Sequence, residues 1–189
     1  MYLANIIPFA HQLLSNRLSA GCRALDGTGG NGHDTLLLAQ AVGKSGKVWA
    51  FDVQAQALEN TRARLLEAGA AEQVVLIQGG HETLADDVDE PLDAAVFNFG
   101  WLPGGDKSCS TQSETSLRAL VAALSLLKPQ GLLIAVLYPG HAAGQTEAEA
   151  VEQWAAALPQ QQYAVLKYGF TNRANRPPYL LAVEKLRQK

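Results

Sequence analysis

Cysteine is scarce: the 189 residues contain two, Cys22 and Cys109. Two thiols cannot build a disulfide framework, and neither stands at a metal-ligand spacing. A reduced, cytoplasmic setting with no bound metal is therefore expected. Long apolar runs are also missing. The longest aliphatic stretch, residues 132–137, is far short of the roughly 20 residues a membrane span needs. The opening MYLANIIPFAHQLL has no Lys or Arg before Arg17 and no small-residue cleavage site, so no signal peptide is expected. No repeat, low-complexity tract or linker interrupts the chain, whose length suits a single domain over 1–189.

Hydrophobic residues make up 48% and charged residues 17%, a globular balance that excludes global disorder. A chain this long can bury roughly 70% of the surface it exposes when unfolded. The net charge of −3 argues against a general nucleic-acid binder. Its distribution is uneven. From Tyr163 onward six basic residues (Lys167, Arg173, Arg176, Lys185, Arg187 and Lys189) face Glu184 alone, a net of +5 that leaves −8 for the rest. Such asymmetry marks either a surface for an anionic partner or a solvated edge.

Short apolar runs alternate with segments of helical period, the pattern of an α/β fold with a mainly parallel sheet. Strands are expected at 22–25, 47–51, 74–78, 94–98, 132–137, 163–168 and 179–184, and helices near 7–18, 34–42, 55–68, 116–127 and 147–157. About ten residues separate the last two strands, too few for a helical crossover, so that pair should be antiparallel. The expected architecture is Rossmann-like: a mainly parallel seven-stranded sheet with an antiparallel last strand and helices on both faces. The first four strands run into polar or glycine-bearing loops, and open α/β sheets place ligands at those strand ends.

The strongest local feature is DGTGGNGHD at 26–34. Gly27, Gly29 and Gly32 satisfy the dinucleotide pattern G-x-G-x-x-G. Asp26, Thr28, Gly30 and Gly32 also satisfy the D-x-G-x-G-x-G loop of S-adenosylmethionine (SAM) enzymes, with Thr28 replacing the first glycine. Charge separates the two readings: Asp26 would repel a pyrophosphate but suit the methionyl ammonium, directly or through water. It could equally cap the turn with no ligand. Asp52, twenty residues past Gly32, is placed to accept ribose hydroxyls from either cofactor, or to cap the helix that follows. Gly79 and Gly80 allow close approach of an adenine that His81 could hydrogen-bond or stack on.

The fourth strand ends in NFGWLPGGDK at 98–107. An Asn leaving a strand, then a tight turn and an aromatic, resembles the N-P-P-[YFW] motif of amine methyltransferases. The Asn98 side-chain oxygen and a backbone carbonyl near Gly100 can accept amine protons and so aim the nitrogen lone pair. Trp101 offers a stacking face, and Asp106 is an acceptor for the proton the amine must lose.

These segments, with FDVQ at 51–54, HE at 81–82, YPGH at 138–141 and NRANRPPY at 172–179, resemble the MnmM/YtqB family over nearly the whole chain. The resemblance implies a class I SAM-dependent enzyme that methylates the aminomethyl group of 5-aminomethyl-2-thiouridine at the tRNA wobble position. It implies a SAM site on Gly30, Asn31, Asp34, Asp52, Gln54, Gly80 and His81. It implies a substrate side with Asn98 to Trp101, Tyr138 and His141, and Arg173, Asn175 and Arg176. His11 and the N-terminal helix border the pocket in that reading, or serve the core. The anticodon arm of tRNA would be met by the catalytic face itself, with basic residues on its phosphates, and a homodimer would be unsurprising. Departures from the family pattern are Gly27 for a common Ala, Trp101 for a common Tyr, and Gly79-Gly80 for an acid and a small polar residue. Two other functions stay open: methylation of another amine, in rRNA, protein or a metabolite, and NAD-dependent oxidoreduction.

Overall fold

The computed structural model of the chain describes residues 2–100 and 111–187. Seven strands form one sheet: β1 (Arg23–Asp26), β2 (Lys47–Asp52), β3 (Val74–Gln78), β4 (Leu92–Asn98), β5 (Leu127–Leu137), β6 (Tyr163–Tyr168) and β7 (Tyr179–Lys185). Their order is β3-β2-β1-β4-β5-β7-β6. Pairing is parallel from β3 through β5, and β7 runs antiparallel to both β5 and β6. The expected reversal is thus present, with β7 inserted inside β6. The chain travels outward from β1 to β3 and returns to β4, so a crevice opens between the carboxyl ends of β1 and β4.

Alternation along the central strands builds two cores. Ala95, Phe97 and Phe99 face one side with Leu133, Ala135 and Leu137. They pack under α4 (Leu84–Asp87), α5 (Ser113–Leu126) and α6 (Ala142–Ala156). Ala94, Val96, Ile134 and Val136 face the other side, under α1 (Ile6–Arg17), α2 (His33–Val42) and α3 (Ala55–Glu67). In α1 the buried Ile6, Ala10 and Leu14 recur every four residues, one stripe of a helix. Pro8 falls in the first turn, where no intrahelical donor is lost.

Three elements differ from expectation. β5 begins at Leu127 instead of 132, because Leu127 pairs with Leu92 before a register shift; Lys128 to Gly131 reads as a turn but is this irregularity. α6 begins at Ala142 instead of 147: His141 caps it, its Nδ1 accepting the Gly144 N–H at 3.1 Å. A 3-10 turn at His81–Thr83 leads into α4, both too short to leave a periodic signal.

Candidate active site

A cleft of ≈ 820 Å³ lies over the carboxyl ends of β1, β2, β3 and β4. The glycine loop forms its floor. Gly27 and Gly29 extend the sheet, their N–H groups donating to Val96 O and Phe51 O. Gly32, at φ 77°, caps α2 against α3, where a Cβ would lie 2.9 Å from the Thr61 Cα. From α3, Thr61 donates to Gly30 O, Asn60 to the Asn31 side chain and Arg64 to Asn31 O. The loop is therefore fixed by its neighbour before any ligand arrives.

Asp26 is fully buried and does not line the cleft. Its carboxylate accepts the Thr28 N–H at 3.1 Å and the Thr35 hydroxyl at 2.6 Å. Burial and the nearby Asp34 push it up to about 7, against the Thr35 and Thr28 hydrogen bonds, with Asp52 adding to the rise. The expected contact with the methionyl ammonium is corrected: Asp26 braces the loop from behind. Asp34, from the start of α2, is in the cleft wall instead, its Oδ1 2.6 Å from His11 Nε2. Thr28, in place of glycine, has a distinct use. Its hydroxyl accepts the Asn98 N–H at 2.7 Å, tying the first loop to the end of β4.

Asp52 lines the cleft and accepts N–H groups from Gly30 and Gln54, each at 2.8 Å. It is not the cap of α3, a position held by Gln54. Gln54, Gly80, Asn31 and Gly30 line the same wall. His81 is 9% exposed and packs edge-on against Phe97 and Phe99. Burial holds its pKa below the ordinary value, against Glu82, the Gly27 backbone and Asp52, so the ring is neutral at pH 7. Its buried Nε2 has no hydrogen-bond partner among the described residues, which a native interior rarely tolerates unless a ligand or water completes it.

At the other end, Asn98, Gly100 and Tyr138 line the cleft. Burial, with the nearby Asp34 charge, holds the Tyr138 phenol above its ordinary value, against the Asn98 side chain beside it. Tyr138 is thus a neutral hydroxyl at physiological pH. Trp101 and Asp106 lie outside the described residues. His141 does not line the cleft; it is the α6 cap. Arg173, Asn175 and Arg176 also lie outside the cleft lining, exposed on the β6–β7 connection. Arg173 stacks over Phe170 at 3.7 Å and donates to the Asn5 side chain at 3.1 Å. Arg176 donates to Gln145. These contacts hold the connection between the start of α1, whose Ile7 lines the cleft, and the first turn of α6.

The basic C-terminal stretch is not one patch. Lys185 pairs across from Tyr163, at the opposite end of the sheet from Arg173 and Arg176, and its Nζ donates to Leu127 O. Lys167 is held by Glu152 at 2.7 Å. Sequence reading missed Glu147, which is 3% exposed and accepts hydroxyl bonds from Ser116 and Thr111. Its one signal is an acid within the buried stripe Gly144, Ala148, Val151 and Ala155. Among the described residues no group of three or more His, Cys, Asp or Glu is placed to hold a metal. Nor is any described helix long and apolar enough to cross a membrane.

The residues present fit an adenosyl ligand. A carboxylate faces the space at Asp52, glycines leave room at 29, 30 and 79, and an uncompensated imidazole nitrogen stands at His81. Fold and cleft define a class I SAM-dependent methyltransferase. A family model described as "Putative rRNA methylase" matches residues 48–184, and the chain belongs to that family. A solved rRNA methylase from Clostridium thermocellum is 36% identical with a TM-score of 0.96, covering 98% of this chain and 100% of that one. A methyltransferase from Streptococcus mutans, solved in complex with SAH (S-adenosylhomocysteine), is 38% identical with a TM-score of 0.90, covering 97% and 99%. The chloroplastic tRNA (mnm(5)s(2)U34)-methyltransferase of Arabidopsis thaliana is 38% identical over 178 residues. That match takes in 89% of this chain, which spans 65% of the plant protein's length. The dinucleotide reading of the glycine loop is not the one this family follows.

Proposed function

We propose that the chain, read as one methyltransferase domain, N-methylates the aminomethyl group of 5-aminomethyl-(2-thio)uridine at the tRNA wobble position. The observation that carries this is the cleft wall in which Asn98, ending β4, and Tyr138, just past the end of the neighbouring β5, stand together. The named activity of the plant relative supports it. When bound, SAM supplies an electrophilic sulfonium methyl, which the neutral amine takes as S-adenosylhomocysteine leaves. Asp52 is then the acceptor for ribose hydroxyls, the His81 nitrogen meets the adenine, and Asp34 faces the methionyl ammonium. The Asn98 side-chain oxygen accepts an amine proton and orients the lone pair, a contribution of geometry and not of covalent catalysis. Tyr138, held neutral, stands beside Asn98 in the cleft wall.

Arg173 and Arg176 supply phosphate contacts on the anticodon arm. A loop whose bases can splay out suits recognition by the catalytic face itself. Binding should weaken steeply with salt, as charge-driven RNA contacts do.

The test is methyl transfer from labelled SAM to two tRNA preparations, one carrying the aminomethyl group and one lacking it, with nucleosides resolved by mass spectrometry. Methylaminomethyl product from the first alone is expected. Equal transfer to both, or transfer to ribosomal RNA with none to tRNA, would move the enzyme to another amine.

A further inference from the structure

Glu147 stands apart from the cleft, yet its bonds lead to it. Both of its carboxylate oxygens are taken by hydroxyls: Ser116 Oγ on α5 donates at 2.6 Å and Thr111 Oγ1 at 2.9 Å. A hydroxyl has one proton. With that proton directed at Glu147, the Thr111 oxygen is left to accept, and it accepts the Gly100 N–H at 2.9 Å. The Thr111 N–H in turn donates to Gly100 O at 3.0 Å. Gly100 has φ 138°, a conformation that L side chains rarely adopt, so local preference alone does not hold it. It stands two residues beyond Asn98. β4 has already ended at Asn98, while Phe99 N–H still donates to Val136 O.

We infer that Glu147 is a positioning residue for methyl transfer, acting through Thr111 to fix Gly100 and with it the Asn98 turn that receives the substrate amine. The inference rests on the reading of Asn98 given above. A carboxylate suits the role because it only accepts, so both hydroxyls must point toward it and the polarity of the relay is set. Burial raises the Glu147 pKa, opposed by the Ser116 and Thr111 hydrogen bonds and the nearby His141. That fits a group kept for its hydrogen bonds and not for contact with solvent.

Thr111→Val keeps the shape and removes the hydroxyl. It should lower kcat ~10-fold or more, the scale on which small misplacements near reacting atoms are felt, with SAM affinity by calorimetry within about 2-fold of wild type. Thr111→Ser should restore kcat, and Glu147→Gln should fall between the two. Amide hydrogen exchange reports on the same relay without substrate: the Gly100 and Thr111 amides should exchange faster in Thr111→Val and Glu147→Gln. Wild-type kcat and exchange in Thr111→Val would overturn the inference. So would a loss of SAM affinity in step with kcat, which marks general collapse of the cleft. A wild-type enzyme idle on aminomethyl-tRNA would sink the proposed substrate, and the exchange measurement would still decide whether the relay holds Gly100.

Discussion

The two ends of the cleft are built on different principles. The end with Asp52 and His81 is made of three consecutive strand-to-helix turns, each with a bond within itself and the first two tied to each other by Gly30 to Asp52 and by Thr61 and Arg64 of α3. Asp26 accepts from Thr28 and Asp52 from Gln54, each two residues away, and Thr83 donates to Gly80, three away. The end with Asn98 and Tyr138 is assembled across the chain. His11 meets Asp34 over 23 residues, Thr111 meets Glu147 over 36, and Thr28 meets Asn98 over 70. The cofactor end thus draws its geometry from one contiguous run of the chain, from β1 to the turn after β3. The acceptor end acquires its geometry only when β4, β5, α5 and α6 have all packed.

The sharpest way to break this division is to cut each end separately. Asn98→Ala should lower turnover about 100-fold while SAM binding holds, as expected for a contact that serves orientation alone. Near-wild-type turnover would remove Asn98 from the reaction. Asp52→Ala should do the reverse, weakening SAM roughly 30-fold through loss of charge-assisted hydrogen bonds, with turnover at saturating SAM little changed. Calorimetry showing unaltered affinity would place the ribose elsewhere. Gly32→Ala tests the local end as structure: with φ 77° and Thr61 behind it, the variant should lose about 1–2 kcal/mol of stability, seen in denaturant unfolding. An unchanged midpoint would show that α3 can yield.

The smallest effect is a pH slope. Asp26 is raised from 3.8 to about 7, so the folded chain holds more proton than the unfolded one between those values. Its stability contribution is full below about pH 4 and is lost as pH rises through 7. Asp26→Asn removes that loss, and its Tm relative to wild type should improve by roughly 5 °C from pH 4 to 8. His81, lowered by burial, contributes a slope of opposite sign to both proteins and drops out of the difference. A difference independent of pH would mean that Asp26 ionises as freely folded as unfolded.

The same division explains what could be read in advance. All seven strands and their antiparallel close were legible, because apolar runs and the short 169–178 connection are local signals. The glycine loop, Asp52 and His81 were legible for the same reason. Asp26 was assigned to the ligand because strand position says where a side chain begins, not which way a buried carboxylate turns; Thr35, nine residues on, turned it inward. The resemblance puts His141 on the substrate side, and the structure adds that it caps α6, a start that Gly140 and Gly144 hide. The +5 tail suggested one surface, but β7 reverses direction and carries Lys185 away from Arg173 and Arg176. Glu147 was invisible because its partners, Thr111 and Ser116, lie more than thirty residues away.

The order β5-β7-β6 also dictates the sequence in which the sheet can close during synthesis. Strands β2 to β5 each find a neighbour among strands already made, but β6 pairs with β7 alone. Until residues 179–185 emerge, β6 has no place in the sheet and the apolar edge of β5 stands open, the kind of edge that recruits other chains. The hydrogen bond from the Tyr168 hydroxyl to Ala4 O, which joins the first residues to the last third, is then among the final contacts to form. A nascent chain halted before Tyr179 would carry a finished glycine loop and an unfinished protein.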